Sequence, residues 1–245
     1  MTGLQRLNPF LQIEYAKMGR IYLNFTGDIC MIKKSPFLMA IVALLLATLA
    51  CSLAGGAAQN LPEGVLFQDD FSDSSSGWDQ VNSEEGITDY ENGVYRIWVN
   101  ATETDIWANP GLDFTNVVVE VDANQIGGPD DNDFGVICRY QDIDNFYFFI
   151  ISSDGFYAIG KVLNGEYNLL GMEQMLPDDA IKQGNATNHI KADCVGSHLV
   201  LHANGSKLAD VEDATFASGD VGLIAGTFGE IGVDIHFDNF VVRGP

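Results

Sequence analysis

Basic side chains are scarce in this sequence, which has 12 Lys and Arg against 34 Asp and Glu and a formal net charge of −22 at pH 7. Nucleic acids and anionic lipid headgroups attract proteins mainly through Lys and Arg. The scarcity therefore excludes nucleic acid as an expected partner, and it excludes an anionic membrane surface for the same reason. Cations are the small partners that such a surface attracts most strongly.

Long hydrophobic runs are also few, and the most apolar one covers residues 37–50 without a charge. A membrane-spanning helix needs about 20 apolar residues, whereas the apolar region of a signal peptide needs about 7–15. Lys33 and Lys34 stand just before the run, and this order is typical of an export signal. A buried hydrophobic helix and an ordinary secretory signal cleaved near Ala58 are the alternatives.

The run ends in Thr48-Leu49-Ala50-Cys51, which resembles the bacterial lipobox. In that motif the signal peptide is removed and the new N-terminal cysteine is lipid-modified. The resemblance implies lipidation of Cys51 in a bacterial protein held outside the cytoplasm at the cell surface. Membrane contact is then expected through the lipid only.

These features divide the chain into four segments. Residues 1–30 lack a sustained pattern and are interpreted as a misplaced translation start or a disordered stretch, and residues 31–50 as the lipoprotein signal peptide. Residues 51–64 are small and form a flexible linker, and residues 65–244 form one folded domain. Seven basic and 32 acidic side chains follow residue 50, so the exported part has a net charge of −25.

Cysteine is rare as well, with four in the chain. If Cys51 carries lipid, Cys138 and Cys194 remain as a pair in an oxidising compartment, where disulfides persist. Each falls in phase with the apolar side of its own segment, so both point inward, on adjacent strands or across the core. We expect a Cys138–Cys194 disulfide, which contributes roughly 3–4 kcal/mol in the chain-entropy model. Two buried free thiols are the alternative.

Helical periodicity is missing from the exported part, and period-two alternation takes its place. Val117, Val119 and Val121 fall on one side of a segment whose other side carries Glu120 and Asp122. Such alternation is typical of strands with one buried face. Pairs that suit type I′ hairpins stand between the apolar segments: Asn92-Gly93, Asp154-Gly155, Asn164-Gly165 and Asn204-Gly205. The pattern predicts an all-β sandwich or barrel.

Four motifs, which together span about residues 65–243, resemble concanavalin A-like (laminin G-like) domains. They are Phe67-Gln-Asp-Asp-Phe71 with Gly77-Trp78, Gly135-Val-Ile-Cys-Arg-Tyr140 with Asp144-Asn-Phe-Tyr147, Gly219-Asp-Val-Gly-Leu223, and the final segment from Val233 to Val242. The resemblance implies a two-sheet antiparallel jelly-roll sandwich. Such domains occur on bacterial surface proteins and glycan-processing enzymes, so carbohydrate binding is the expected function.

A catalytic motif is incomplete. Related hydrolases of this fold carry Glu-x-Asp-x-x-Glu, and here Glu120 and Asp122 are followed by Gln125 at the third position. An amide neither donates a proton as a general acid nor accepts one as a base. We therefore expect a non-enzymatic protein, with a sugar-processing hydrolase-like domain as one alternative and a structural envelope protein without a small ligand as another.

Acidic residues near both ends of the domain suggest a structural calcium ion. Asp70 and Asp238 are the preferred pair because the first and last strands of a sandwich often lie side by side, and Ca²⁺ prefers oxygen ligands. The acidic residues 128–133 are interpreted as a solvated hairpin connection. His198 and His202 share a strand face, but zinc needs three or four converging ligands.

Residues 146–151 are apolar at every position. One face of this strand must join the core, and the prediction is that the other presents Tyr147 and Phe149, which with Trp107 would form an aromatic platform for sugar rings. A strand covered on both faces is the alternative. The sequence as a whole therefore predicts a lipid-anchored, non-catalytic binding domain for a glycan or an envelope protein.

Overall fold

The computed structural model describes residues 61–245. The predictions for residues 1–60, which include the signal peptide, the lipidation of Cys51 and most of the linker, lie outside the described residues. The described part consists of β-strands joined by turns and loops. Within it, no helix is long and apolar enough to cross a membrane.

Sixteen strands form in this range, each named here with its bounds: β1 (Val65–Asp69), β2 (Val81–Asn82), β3 (Gly86–Glu91), β4 (Val94–Val99), β5 (Thr104–Ala108), β6 (Val117–Gly127), β7 (Asn132–Asp142), β8 (Asn145–Ile151), β9 (Phe156–Leu163), β10 (Glu166–Leu169), β11 (Leu176–Pro177), β12 (Asn188–Val195), β13 (His198–Ala203), β14 (Ser206–Glu212), β15 (Asp220–Thr227) and β16 (Val233–Arg243).

The strands form two antiparallel sheets. The nine-stranded sheet has the order β14-β13-β12-β6-β16-β4-β3-β2, with β1 also paired to β16. The seven-stranded sheet has the order β10-β9-β8-β7-β15-β5, with β11 also paired to β9. Consecutive strands often cross from one sheet to the other, as β4 to β5 and β6 to β7 do. The predicted all-β fold with two antiparallel sheets is confirmed.

The core lies between the sheets and follows from the alternation in the sequence. In β6 the inward residues Val117, Val119 and Val121 are fully buried, whereas their polar neighbours Glu120 and Asp122 are only half-buried. Three strands of the seven-stranded sheet differ from this pattern, because nearly every residue of β7, β8 and β15 is buried. That sheet therefore carries apolar side chains on both of its faces.

The hairpin turns have the predicted chemistry at three positions. Asn92, Asn164 and Asn204 all adopt positive φ, between 52° and 53°, and each is followed by a glycine with positive φ. Asparagine and glycine tolerate this left-handed region best, which is why these pairs can close two-residue turns. The hairpins β3–β4, β9–β10 and β13–β14 therefore have their registers set locally.

The predicted disulfide is confirmed, and it joins the two sheets. Cys138 of β7 and Cys194 of β12 are bonded across the core, with a Cα–Cα distance of 6.8 Å. Arg139 lies beside this bridge at a bulge of β7 and is 2% exposed. Its guanidinium donates hydrogen bonds to carbonyl oxygens that include those of Phe216 (2.8 Å) and Gly196 (2.8 Å). A buried arginine therefore reinforces the covalent link between the sheets.

Candidate ligand-binding face

The outer face of the seven-stranded sheet carries a second hydrophobic cluster. Its buried members are Ile137, Phe146, Phe148, Ile150, Ala158, Val162 and Ile224, and the side chains packed against them include Trp107, Tyr140, Leu169, Met172 and Met175. Met172 and Met175 come from residues 171–184, where the strand pattern lapses. An outer sheet face that is apolar rather than polar is the type of surface on which ligands and partners bind.

Aromatic rings dominate this surface, and we define the aromatic face as Trp107, Tyr140 and Tyr167 over Phe146 and Phe148. Ring centroids are 5.2 Å apart for Trp107 and Phe146, 5.6 Å for Tyr140 and Phe146, and 5.8 Å for Phe148 and Tyr167. The two phenylalanines are buried, whereas Tyr167 is 37% exposed and Trp107 is half-buried. Trp107 and Tyr167 therefore keep part of their surface accessible.

The predicted assignment of faces for β8 is wrong. Tyr147 and Phe149 point into the main core and are fully buried, and the outer face belongs to Phe146 and Phe148. Tyr147 also uses its hydroxyl inside the protein, since it lies 2.5 Å from Oδ1 of Asp213 and accepts a hydrogen bond from a backbone amide. Both faces of β8 are apolar, so its own sequence cannot distinguish them. Trp107, the third predicted residue, does lie on the outer face.

Two carboxyl groups stand in one row on this same face. Asp105 of β5 and Asp133 of β7 both pair with Gly226 of β15, which lies between them. A Cβ on Gly226 would lie 2.0 Å from Oδ1 of Asp105 and 2.5 Å from Oδ2 of Asp133, so these two oxygens are at most about 4.5 Å apart. Only glycine leaves room for both carboxyl groups, and we call them the acid pair.

Burial changes the protonation of the acid pair. Asp133 is 3% exposed, and its burial together with the negative charge of Asp105 raises its pKa well above the ordinary value. Burial also raises the pKa of Asp105 to about 6, although a hydrogen bond from Tyr167 opposes the rise. Two close carboxyl groups in a low-dielectric site cannot both ionise freely. At mildly acidic pH the pair therefore retains a proton.

No basic side chain from residues 61–245 is shown beside the acid pair, because each of the seven Lys and Arg residues has its partner elsewhere. The pairings are Arg96 with Asp234 (2.7 Å), Lys161 with Asp213 (2.6 Å), Lys191 with Asp193 (2.9 Å), Lys207 with Asp210 (3.0 Å), Arg243 with Glu120 (3.7 Å), Lys182 with the carbonyl of Thr187 (3.0 Å), and Arg139 with the carbonyls near the disulfide. The acid pair therefore lacks the compensation that ionised side chains elsewhere receive.

The outer face of the nine-stranded sheet offers a second, polar site. A cleft of about 320 Å³ is lined by Val94, Asp122, Asn124, Ile126, Thr187, His236, Asp238 and Asn239. Asp122 is engaged within the protein, with Nδ1 of His189 at 2.8 Å and Nδ2 of Asn239 at 3.1 Å. All four histidines of the chain lie on this face. Within the described residues no three His, Cys, Asp or Glu side chains are placed to hold a metal ion together.

The incomplete hydrolase motif also lies on this sheet, but its three residues do not meet. Glu120 and Asp122 are on the outer face of β6, whereas Gln125 points inward and is 1% exposed. The Gln125 amide donates hydrogen bonds to the carbonyls of Gly128 and Pro129, both at 3.0 Å. Gln125 therefore supports the turn after β6 and lies on the opposite face from the two acids.

The two residues of the predicted calcium site are placed as follows. β1 pairs with β16, so the first and last strands do lie side by side. Oδ1 of Asp70 accepts hydrogen bonds from the amide (3.1 Å) and hydroxyl (2.6 Å) of Ser72, which lower the pKa of Asp70. Asp238 accepts a hydrogen bond from the Asn239 amide. Each carboxylate shapes its own turn, and calcium binding stays a prediction.

The sequence-based reasoning missed the acid pair. It treated Asp133 as the end of a solvated loop, whereas Asp133 is the second residue of β7 and is buried. Asp105 and Asp133 become neighbours only because β15, which comes more than ninety residues later, lies between their strands. A glycine inside a strand, as at position 226 of β15, can mark a close approach of neighbouring groups, and this was the available signal.

No family model matches the sequence, and no curated protein matches it. Solved structures do match. A carbohydrate-binding module, CBM66, from Bacillus subtilis aligns with a TM-score of 0.56 at 18% identity, over 69% of this chain and 96% of that one. A Bacillus licheniformis beta-glucanase aligns with a TM-score of 0.54 at 10% identity, over 75% of this chain and all of that one.

A protein of unknown function with a galectin-like fold, from Bacillus subtilis, has a TM-score of 0.53 at 11% identity, over 74% of this chain and 96% of that one. Identities this low show the fold alone, and proteins of this fold have unrelated functions. The predicted likeness to concanavalin-like domains is confirmed at that level: residues 61–245 form a galectin-like and concanavalin-like jelly-roll sandwich.

Proposed function

We propose that this sandwich is a non-catalytic carbohydrate-binding domain and that the glycan lies on the aromatic face beside the acid pair. The observation that carries the proposal is the juxtaposition of the half-buried Trp107 ring and the exposed Tyr167 ring with the acid pair. Sugar rings present apolar C–H faces that stack on aromatic rings, and they present hydroxyl groups that donate to carboxylates. The aromatic face supplies both kinds of contact on one surface.

Support also comes from the contrast with the polar cleft on the other sheet. There Asp122 already accepts hydrogen bonds from His189 and Asn239. On the aromatic face, carboxyl oxygens stand together without a basic partner among residues 61–245. A ligand that donates hydrogen bonds gains more from carboxyl groups that no basic side chain neutralises, because hydrogen bonds to charged groups are stronger than those between neutral groups.

The proposed cellular setting follows from the N-terminal segment. Lipid on Cys51 would hold the protein at the outside of the bacterial membrane, and residues 51–64 would give the sandwich reach. A tether of this kind raises the effective concentration of the domain near envelope glycans. A glycan-bearing envelope protein would bind to the same aromatic face through its glycan.

Glycan-array binding by the purified protein tests the proposal, with Trp107→Ala as the variant and Trp98→Ala as its matched control. Trp98 is also half-buried, but it lies on the nine-stranded sheet. Loss of a central aromatic contact is worth about 2 kcal/mol or more, so we expect a roughly thirtyfold loss for Trp107→Ala and little change for Trp98→Ala. An array without signals, or equal effects of the two variants, contradicts the proposal.

One observation favours a second candidate, a retaining glycoside hydrolase. Retaining enzymes use two close carboxyl groups, about 5–5.5 Å apart, and in the acid pair Oδ1 of Asp105 lies at most about 4.5 Å from Oδ2 of Asp133. Asp133, which holds its proton more tightly, would protonate the glycosidic oxygen while Asp105 attacks the anomeric carbon. Water would then hydrolyse the glycosyl ester and regenerate both groups. Release of nitrophenol from aryl glycosides that disappears in Asp105→Asn would establish this candidate, and activity that persists in that variant would exclude it.

A further inference from the structure

No basic side chain among the described residues neutralises the two carboxyl groups of the acid pair. Asp133 is 3% exposed, and the influences on its carboxyl from the described residues are burial and the like charge of Asp105. Burying a carboxylate without a partner is strongly unfavourable, so an acid in this position either keeps a proton or meets an external cation. The described residues supply neither a Lys nor an Arg there.

We propose that the acid pair binds an ammonium group of the ligand. The glycan on the aromatic face would then carry a free amine, as a non-acetylated hexosamine does. This inference rests on the proposed carbohydrate binding and names the class of sugar. Asp105 is the more accessible member and meets the amine first, while Asp133 lies beside it across Gly226 and supplies further oxygen acceptors.

The geometry suits an ammonium group. Its three N–H donors can reach two oxygens that are no more than about 4.5 Å apart, because a nitrogen displaced from the line that joins them can lie about 2.8 Å from both. The absence of a Cβ on Gly226 is what allows the two carboxyl groups to come this close. The Tyr167 hydroxyl hydrogen-bonds to Asp105 and fixes its orientation.

The surroundings favour an amine over a metal ion. Ca²⁺ takes six to eight oxygen ligands, whereas this site offers two carboxyl groups and one phenol hydroxyl. The neighbouring side chain on β5, two residues from Asp105 and on the same face, is Trp107. Ring faces attract cations, and a hexosamine places its apolar ring faces close to its amine. One ligand can therefore use the ring and the acid pair together.

The test uses three hexasaccharides with the same β-1,4 backbone that differ at C2: a hydroxyl in cellohexaose, an acetamide in chitin hexaose and an amine in chitosan hexaose. Calorimetric titration of the full-length protein near neutral pH is expected to show chitosan hexaose binding at least tenfold more tightly than the other two. This figure follows from the strength of hydrogen bonds to charged groups.

The variants Asp105→Asn and Asp133→Asn are expected to remove that tenfold preference, and Asp130→Asn to preserve it. Asp130 is an exposed acid of the loop before β7, so its removal changes net charge equally without touching the pair. Asparagine matches aspartate in shape, and thermal melting checks that each variant is folded.

Each other outcome counts against the inference in its own way. Equal affinity for the three sugars, or a preference that survives Asp133→Asn, overturns the amine while carbohydrate binding stands. A Ca²⁺ titration with binding lost in Asp133→Asn would replace the amine by a metal. Tight binding of a lysine-rich peptide, lost in the same variant, would replace the sugar by a protein. If neither these hexasaccharides nor the glycan array shows binding, the proposed function itself fails.

Discussion

The outer faces of the two sheets differ in whether their acidic side chains are paired with basic ones. On the nine-stranded sheet, acids and bases neutralise each other: Arg96 contacts Asp234 at 2.7 Å, His189 contacts Asp122 at 2.8 Å and Lys191 contacts Asp193 at 2.9 Å. On the seven-stranded sheet, Asp105 and Asp133 stand together among apolar and aromatic side chains. None of the seven Lys and Arg residues among residues 61–245 is paired with Asp105 or Asp133.

This difference points to the outer face of the seven-stranded sheet as the candidate functional surface. Acids that are paired with a basic side chain need no external cation. Uncompensated buried acids lower the stability of the folded protein, and such local costs are typical of sites that bind or react. Two kinds of substitution test this difference: removal of a base that pairs with an acid on the nine-stranded sheet, and removal of an unpaired acid on the seven-stranded sheet.

The largest effect is expected for Gly226→Ala. The new Cβ would collide with both carboxyl groups of the acid pair, and such overpacking costs about 1–3 kcal/mol of unfolding free energy. Urea denaturation measures this loss. Gly229→Ala is the control, because nothing lies within 4 Å of its Cβ and we expect no measurable loss there. Equal stability of the two variants would show that the acid pair has room to move.

Asp133→Asn is expected to raise the unfolding free energy of the protein, whereas Gly226→Ala lowers it. Burial raises the pKa of Asp105 from 3.8 to about 6, so between these pH values the folded protein binds protons that the unfolded chain has released. Stability therefore falls as pH rises through this window and then levels off. The neutral amide replaces a carboxyl group that has the same problem, since burial and the negative charge of Asp105 raise the pKa of Asp133 well above the ordinary value.

Above pH 6 we therefore expect Asp133→Asn to be more stable than the original protein by on the order of 2 kcal/mol, with no difference near pH 4. Thermal melting across this pH range measures both values, and Asp130→Asn serves as the control for net charge. A variant that is less stable than the original protein at neutral pH would mean that Asp133 has a stabilising partner.

Arg96→Met tests the nine-stranded sheet, because it leaves the acid Asp234 on the outer face of that sheet without its basic partner. The Asp234 side chain is 16% exposed and receives two hydrogen bonds from Arg96, at 2.7 and 2.8 Å. We expect a loss of about 1–2 kcal/mol, less than for a fully buried pair because water screens this one. Lys207→Met, at an exposed pair with Asp210, is the control and should change little.

His189→Asn should have the smallest effect. The His189 side chain is 46% exposed, and its contact with Asp122 is a surface contact worth up to about 1 kcal/mol. Chemical denaturation is expected to show a change within that limit. A larger loss would mean that the polar face depends on this contact and is not merely a solvated surface.

The sequence patterns predicted the strands, three of the four hairpin turns and the disulfide, because these depend on local chemistry and on the alternation of side chains along each strand. The fourth turn, Asp154-Gly155, differs because Asp154 does not adopt positive φ. Alternation in β6 shows which side faces the core, and Cys138 and Cys194 share that side with their apolar neighbours. The same logic failed in β8, where both faces are apolar and Tyr147 and Phe149 were assigned outward.

The acid pair could not be predicted from the sequence at all. Its existence depends on the order of β5, β15 and β7 in the sheet and on a register that aligns Asp105, Gly226 and Asp133 in one row. Strand order is decided by the packing of the whole sandwich, which no local pattern records. The predictions for residues 1–60 remain predictions.

Chemical-shift mapping tests the central claim most directly. Backbone amide spectra of the isotope-labelled protein are recorded with and without cellohexaose, chitin hexaose and chitosan hexaose. The account predicts that the shifts cluster on β5, β7, β10 and β15, and that chitosan hexaose causes the largest shifts around Asp105 and Asp133. Shifts that cluster instead at the cleft around Asp122 and His236, or no shifts with any of the three, would contradict it.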